Sequence, residues 1–375
     1  MGPLSGIRIV EIGGIGPGPF AAMMLADMGA DLIRLDRAGA GVGVGTWNLT
    51  NRGRPSVGVD LKHPGGRDLA LRLCAGADGL IEGYRPGVME RLGLGPDEVL
   101  ACNPKLVYGR MTGYGQQGPL AEVAGHDVNY ISVSGVLSAF AREGERPQYP
   151  LNLVGDYGGG AMMLAFGMVC GLLEARTSGR GQVVDAAMVD GSALLSTLFH
   201  GMRQAGLWQE RPGTNDLDTG SHFYNVYETA DGGHIAVGAL EPQFYAELLR
   251  ALELDPAEYP QYDRARWPEL KERFAQLFRT RTRVEWSTLL EHLDACATPV
   301  YTMTEAITHP HNKSREIFVE VDGVVQPAPA PRFSRTPPRI GRPPAEPGAD
   351  TDTALAAWGF DRAEISAMRA TGAVY

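Results

Sequence analysis

Three kinds of side chain in this sequence have chemistry to offer. His126 stands between Gly125 and Asp127. An imidazole exchanges a proton near neutral pH, and the preceding glycine suggests a helix start. The plain alternative is a satisfied buried histidine or a helix cap. Asp156 precedes Gly158-Gly159-Gly160. An aspartate there suits the N-cap of a glycine-rich helix. A cap would fix its carboxylate, and the glycines would let a ligand approach closely. The third set is basic: Arg37, Arg52, Arg54, Lys62, Arg85 and Arg91 fall at strand ends or loops of the first half. Open α/β sheets bind ligands at such places, and the guanidinium fork suits phosphate. Taken singly, each is an ordinary surface charge. No cluster of His, Cys and carboxylates has metal-ligand spacing.

The elements that must position these residues follow from hydrophobic pattern. Ile7–Ile12 is short, apolar and β-branched, which predicts a strand. The turn Gly13–Pro19 follows, then a helix over Phe20–Met28 ending at Gly29, then a strand over Asp31–Leu35. This βαβ opening predicts a parallel sheet between helices. The pattern continues with a helix at His63–Ala75 and strands at Gly79–Ile81, Leu106–Arg110 and Gln182–Ala186. Gly155–Glu174 reads as a tightly packed buried helix, too short and glycine-rich for a membrane span. A helix over Met188–His200 follows. A Gly, Pro, Asn and Thr-rich linker then leads to a hairpin of Phe223–Thr229 with His234–Ala239. Helices at Glu241–Leu252 and Trp286–Leu293 complete a small α+β domain. Gln326–Pro344, rich in proline, is extended, and a last helix covers Thr353–Trp358. The expected division is a large domain at 1–205, a linker at 206–221, a small domain at 222–302, and a return segment at 303–375.

The chain has 375 residues, 21% of them charged, and a net charge of −10. That charge gives no general attraction for nucleic acid or anionic membrane. Any anion must be held by a local basic cluster. The four cysteines are scattered, with no Cys-x-x-Cys pair. Neither a disulfide framework nor a zinc site is favoured, and a reducing cytoplasm is expected. Met1–Gly6 shows no basic-then-apolar leader, and Ala373-Val374-Tyr375 is not a peroxisomal address of the Ser-Lys-Leu type. Gly14-x-Gly16 with Asp36 imitates a dinucleotide fingerprint, but Pro19 stands where the third glycine belongs and removes an amide donor.

Many separate motifs, in order, resemble the family III CoA-transferases and their racemase relatives. They begin with Gly2-Pro3-Leu4-Ser5-Gly6 and continue through Gly16–Pro19, Ala26–Asp36, Asn51-Arg52-Gly53-Arg54 and Asp60-Leu61-Lys62. Glu82–Gly87, Gly113-Tyr114-Gly115, Gly125-His126-Asp127-x-Asn129-Tyr130, Gly155–Gly160 and Arg332-Phe333-Ser334 extend the likeness along the whole chain. The His126-Asp127 pair matches the racemase branch. The resemblance implies an α/β fold: an open parallel-sheet, Rossmann-like large domain with a small α+β domain. It also implies an interlocked homodimer, each active site formed with the partner's small domain.

The activity so implied is inversion of C2 in 2-methylacyl-CoA thioesters by proton transfer through an enolate. Such inversion needs bases on opposite faces and a donor where enolate charge develops. On this reading His126 and Asp156 are the two bases, and the Asp127 backbone amide meets the enolate oxygen. Glu241, before Pro242 at a helix start, would orient the histidine from the partner chain; its plain alternative is a charge favourable to the helix dipole. Arg37, Lys62, Arg85 and Arg91 would hold coenzyme A, with Asp60, Leu61, Gly83 and Tyr84 along it. Gly125, Asn129, Tyr130 and Asn152 would border the reacting end. Coenzyme A is part of the substrate, and no separate cofactor or metal is called for. The alternative chemistry is CoA transfer between carboxylic acids, with an aspartate as nucleophile; Asp127 lies where such a nucleophile could sit.

Overall fold

The computed structural model describes residues 2–37 and 45–375. The chain divides into two compact units. The first comprises residues 1–134, 151–195 and 315–375; the second comprises 135–150 and 196–314. The division at 195/196 stands ten residues before the boundary expected from composition. The second unit also takes in 135–150, a stretch without a compositional signal.

The first unit is built on β1 (Arg8–Ile12), α1 (Pro17–Asp27), β2 (Asp31–Asp36), β3 (Ser56–Gly58), α2 (Pro64–Ala75) and β4 (Gly79–Glu82). Then come α3 (Val88–Arg91), α4 (Pro96–Cys102), β5 (Val107–Thr112) and α5 (Asp127–Val133). A π-helical segment, Val154–Ala161, runs into α6 (Met162–Ser178), followed by β6 (Val183–Ala187) and α7 (Met188–Leu195). The six strands form one sheet in the order β3-β2-β1-β4-β5-β6, and every pairing is parallel. The order reverses between β1 and β4. That reversal opens a crevice beyond the carboxyl ends of the two strands.

Both faces of the sheet are covered, so its central strands are buried along their length rather than at alternate residues. Ile9, Val10, Ile33 and Val107 are fully buried. One face packs on α2 and α4 through Leu69, Leu73 and Val99, with Leu355 and Ile365 from the end of the chain. The other packs on α1 and α6 through Ala21, Ala22, Leu25, Leu164 and Met168.

The second unit pairs Tyr224–Glu228 with His234–Gly238 as an antiparallel hairpin, with Ala297–Pro299 as third strand. Its core is aromatic: Phe223, Trp267, Phe274, Phe278 and Trp286 are buried together.

Several elements differ from the sequence reading. The first helix starts at Pro17, inside the expected glycine turn, because proline is well suited to a helix's first turn. The expected helix over Met188–His200 breaks at Ser196 into two. The proline-rich stretch begins within a hairpin of Phe318–Val321 with Val324–Pro327. A further helix, Arg362–Ala370, follows the expected last one.

The glycine-rich helix is the largest revision. It extends from Leu151 to Ser178, 28 residues, with a kink at Asn152, and is long and apolar enough by those measures to cross a membrane. It is also not buried all round. Leu164, Met168 and Leu172 face the sheet, whereas Phe166, Val169 and Leu173 are exposed.

The π-helical segment lies against α7 with almost no space between backbones. A Cβ on Gly191 would collide with the Gly159 carbonyl, and one on Gly159 would lie 2.6 Å from the Ser192 nitrogen. Gly191→Ala should therefore lower stability by about 1–3 kcal/mol, the usual cost of overpacking, read as a lower denaturation midpoint. An unchanged midpoint would show that this contact relaxes freely.

Candidate active site

The crevice at the strand-order reversal holds a cavity of about 590 Å³. Its walls come from the ends of three strands (Ile12, Glu82 and Thr112), the β1–α1 turn, the 83–86 loop and the His126 and Asp156 segments. His126 and Asp156 are 30 residues apart in sequence and line the same space.

His126 is exposed and is the N-cap of α5, with extended backbone. Asn129 holds it there by accepting the His126 N–H at 3.0 Å. The Tyr130 hydroxyl donates to the Gly125 carbonyl, fastening the residue before the histidine. Tyr130 and Gly125 line the cavity. Asn129 serves the backbone instead, and it is absent from the lining.

Asp127 begins α5 and is 1% exposed. Its carboxylate accepts the Asp156 backbone N–H at 2.6 Å. Gly155 makes this approach feasible, since a Cβ there would lie 2.7 Å from Asp127 Oδ2. Burial raises the Asp127 pKa, and the backbone N–H groups of Asp156 and Gly155 oppose the rise.

Asp156 is not the N-cap that the sequence suggests. It lies in the first turn of the π-helical segment, whose N-cap is Leu153. The wider π turn carries one extra residue per hydrogen-bonded loop, a distortion frequent at functional sites. Asn152 lines the cavity and donates from Nδ2 to Asp156 Oδ2 at 3.1 Å. The carboxylate also faces the β1–α1 turn: a Cβ on Gly16 would lie 3.4 Å from Asp156 Oδ2. Burial raises the Asp156 pKa, and the neighbouring Asp127 adds to the rise; the Asn152 hydrogen bond and His126 oppose it.

Burial sorts the six basic candidates. Arg52 and Arg54 are 3% and 0% exposed. Arg52 pairs with Asp27 at 2.6 Å, and Arg54 with Glu11 at 2.8 Å. Arg54 also donates to the carbonyls of Thr50, Arg52 and Pro19. These two arginines tie the 50–54 loop to α1 and β1; every Arg54 nitrogen is engaged, and the one unpartnered nitrogen of Arg52, Nε, is buried. Arg37, Lys62, Arg85 and Arg91 are exposed. Arg85, with Gly83 and Tyr84, lines the cavity. Arg37, Asp60, Leu61, Lys62 and Arg91 lie outside the lining, at the ends of β2 and β3 and on α3. Glu241 stands exposed in the second unit, as the N-cap of helix Pro242–Ala251.

Two site features escaped the sequence reading. Met188 lines the cavity, whereas Met162 and Met163 do not. Glu82 lines it too, with its side chain buried and burial pushing its pKa up to about 7. Its position at the end of a strand beside the crevice was the available signal. Among the described residues no group of His, Cys and carboxylates is placed to hold a metal ion.

The cost of keeping Asp156 ionised sets a stability prediction. A carboxyl whose folded pKa is raised binds its proton more tightly folded than unfolded. Ionisation therefore destabilises the fold above the raised value, and the penalty vanishes below the ordinary carboxylate range near about 4. Asp156→Asn should then be more stable than the parent at pH 7, with the gain shrinking as pH falls toward 4. Denaturant midpoints across that range test it; a constant difference would contradict it.

Comparison with known proteins places this geometry among relatives. Residues 4–353 match the family described as CoA-transferase family III. The chain is 47% identical over 367 residues to the alpha-methylacyl-CoA racemase of Mus musculus, covering 96% of this chain and 95% of that one. It is 44% identical to the Homo sapiens protein of the same name, with the same coverage of both. A succinyl-CoA:glutarate CoA-transferase of Homo sapiens is 28% identical, over 93% of this chain and 84% of that one. Among solved structures, a CAIB/BAIF family protein from Brucella suis aligns with a TM-score of 0.82 over 95% of this chain and 99% of that one. At 22% identity that likeness is one of fold.

Proposed function

The chain belongs to CoA-transferase family III, and from that membership we propose that it inverts C2 of 2-methylacyl-CoA thioesters, as an alpha-methylacyl-CoA racemase. The observation that carries the proposal is the pairing of His126 and Asp156 in one cavity, on two elements joined by the Asp156 N–H to Asp127 hydrogen bond.

The thioester α-proton is far less acidic than an imidazolium or a carboxylic acid. One base must therefore remove it while a second acid stands ready on the other face. His126 takes the proton from the S epimer and Asp156 from the R epimer. After each transfer the opposite group, protonated, returns a proton to the planar enolate. Asp156 must hold a proton during half of the cycle, and its burial supports this. The N–H of Asp127 belongs to the first turn of α5, where backbone donors lack intrahelical partners. In this proposal it meets the enolate oxygen as charge develops. Glu241 of a second copy orients His126 by accepting an imidazole N–H.

CoA transfer would need an accessible carboxylate nucleophile. The Asp127 carboxylate is buried and engaged with the Asp156 N–H. The racemase reading is therefore the better supported. With it go an interlocked homodimer, a cytoplasmic location, coenzyme A held by Arg37, Lys62, Arg85 and Arg91 beside Asp60 and Leu61, and no cofactor apart from the substrate. The exposed Phe166, Val169 and Leu173 on α6 suit burial by a second copy.

The test uses wild-type enzyme in heavy water with one pure epimer, first with no second acid and then with a carboxylic acid added. Racemisation should be accompanied by deuterium at C2. Movement of CoA to an added carboxylic acid, without C2 exchange, would establish the transferase reading instead.

A further inference from the structure

Arg110 lies on β5, outside the catalytic pair, and is 6% exposed. Its Nε donates to Glu82 Oε1 at 2.9 Å, across the β4–β5 pairing. Its two terminal nitrogens reach the two Glu90 oxygens on α3 at 2.8 and 3.3 Å. The second Glu82 oxygen accepts the Tyr84 N–H at 2.7 Å. One guanidinium thus secures both ends of the connection between β4 and α3. The span between those ends carries Tyr84 and Arg85, and Arg91 follows Glu90 on α3. Gly87, at φ 79°, allows the chain to turn back, and a Cβ there would lie 3.1 Å from Arg91 Nη1.

We propose that Arg110 is a positioning residue for the nucleotide end of the CoA substrate, holding the 83–91 segment so that Arg85 and Arg91 meet its phosphates. This rests on the CoA-thioester reading above. Only a planar fork serves two carboxylates in fixed directions. Without it, Glu82 and Glu90 are left as uncompensated negative charge beside an anion site. Misplaced phosphate ligands weaken ground-state and transition-state binding alike, so the effect belongs in KM rather than kcat.

The experiment compares a 2-methylacyl-CoA with the matching 2-methylacyl-pantetheine thioester, which lacks the nucleotide. Arg110→Gln should raise KM for the CoA thioester about tenfold, leaving kcat within about twofold and the pantetheine KM unchanged. Glu90→Gln, at a half-exposed partner that is less critical to folding, should raise it about threefold in the same selective way. Equal losses on both substrates, or no change in KM for either variant, would overturn the role. If Arg110→Gln does not fold, Glu90→Gln decides alone. A wild-type enzyme that does not prefer the CoA thioester over the pantetheine thioester would instead count against the CoA reading itself.

Discussion

The site depends on one hydrogen bond, from the Asp156 backbone N–H to the buried carboxylate of Asp127. It joins α5, whose N-cap is His126, to the π-helical segment that carries Asp156. Two proton-transfer groups on independent elements would drift relative to each other, and catalytic geometry tolerates little drift. The link also removes Asp127 from competition. A carboxylate at the same sequence position as a conceivable nucleophile becomes a structural anchor once it is buried against a backbone amide. The close approach has a steric condition, met by Gly155 at one end and by the Gly159–Gly191 contact behind.

A second constraint divides the charged residues. Glu11, Asp27, Arg34, Asp36, Arg52 and Arg54 are buried near the ends of the first strands and pair among themselves. A buried guanidinium needs a partner for its charge and donors, so each is consumed by its own ion pair. The exposed Arg37, Lys62, Arg85 and Arg91 keep their donors outward. Of these Arg85 lines the crevice, which Glu82 and Asp156 also border, on a chain whose net charge is −10.

Much of the large unit was legible because its signals are local. A β-branched run, a glycine turn and an apolar helix predict βαβ units and a parallel sheet; the strand order came only with the structure. His126, Asp156 and Asn152 were recognised from their motifs and do line one cavity. What escaped the reading depends on distant partners. Arg54 and Arg85 look alike in sequence; only the fold shows that Glu11 meets the first. Asp156 before three glycines resembles a cap, since residue propensities do not distinguish an α turn from a π turn. The hairpin at 318–327 lay hidden beside a proline-rich stretch that read as extended throughout. The expectations of an interlocked dimer and of a role for Glu241 came from resemblance, because neither is written in local pattern.

The central claim is that two different groups serve two faces of one carbon. It is tested most directly by following deuterium uptake at C2 from each pure epimer in two variants. His126→Ala should lose racemisation but still exchange the R substrate, and Asp156→Ala should still exchange the S substrate. Equal exchange from both epimers in either variant would contradict the account, as would undiminished racemisation by Asp156→Ala.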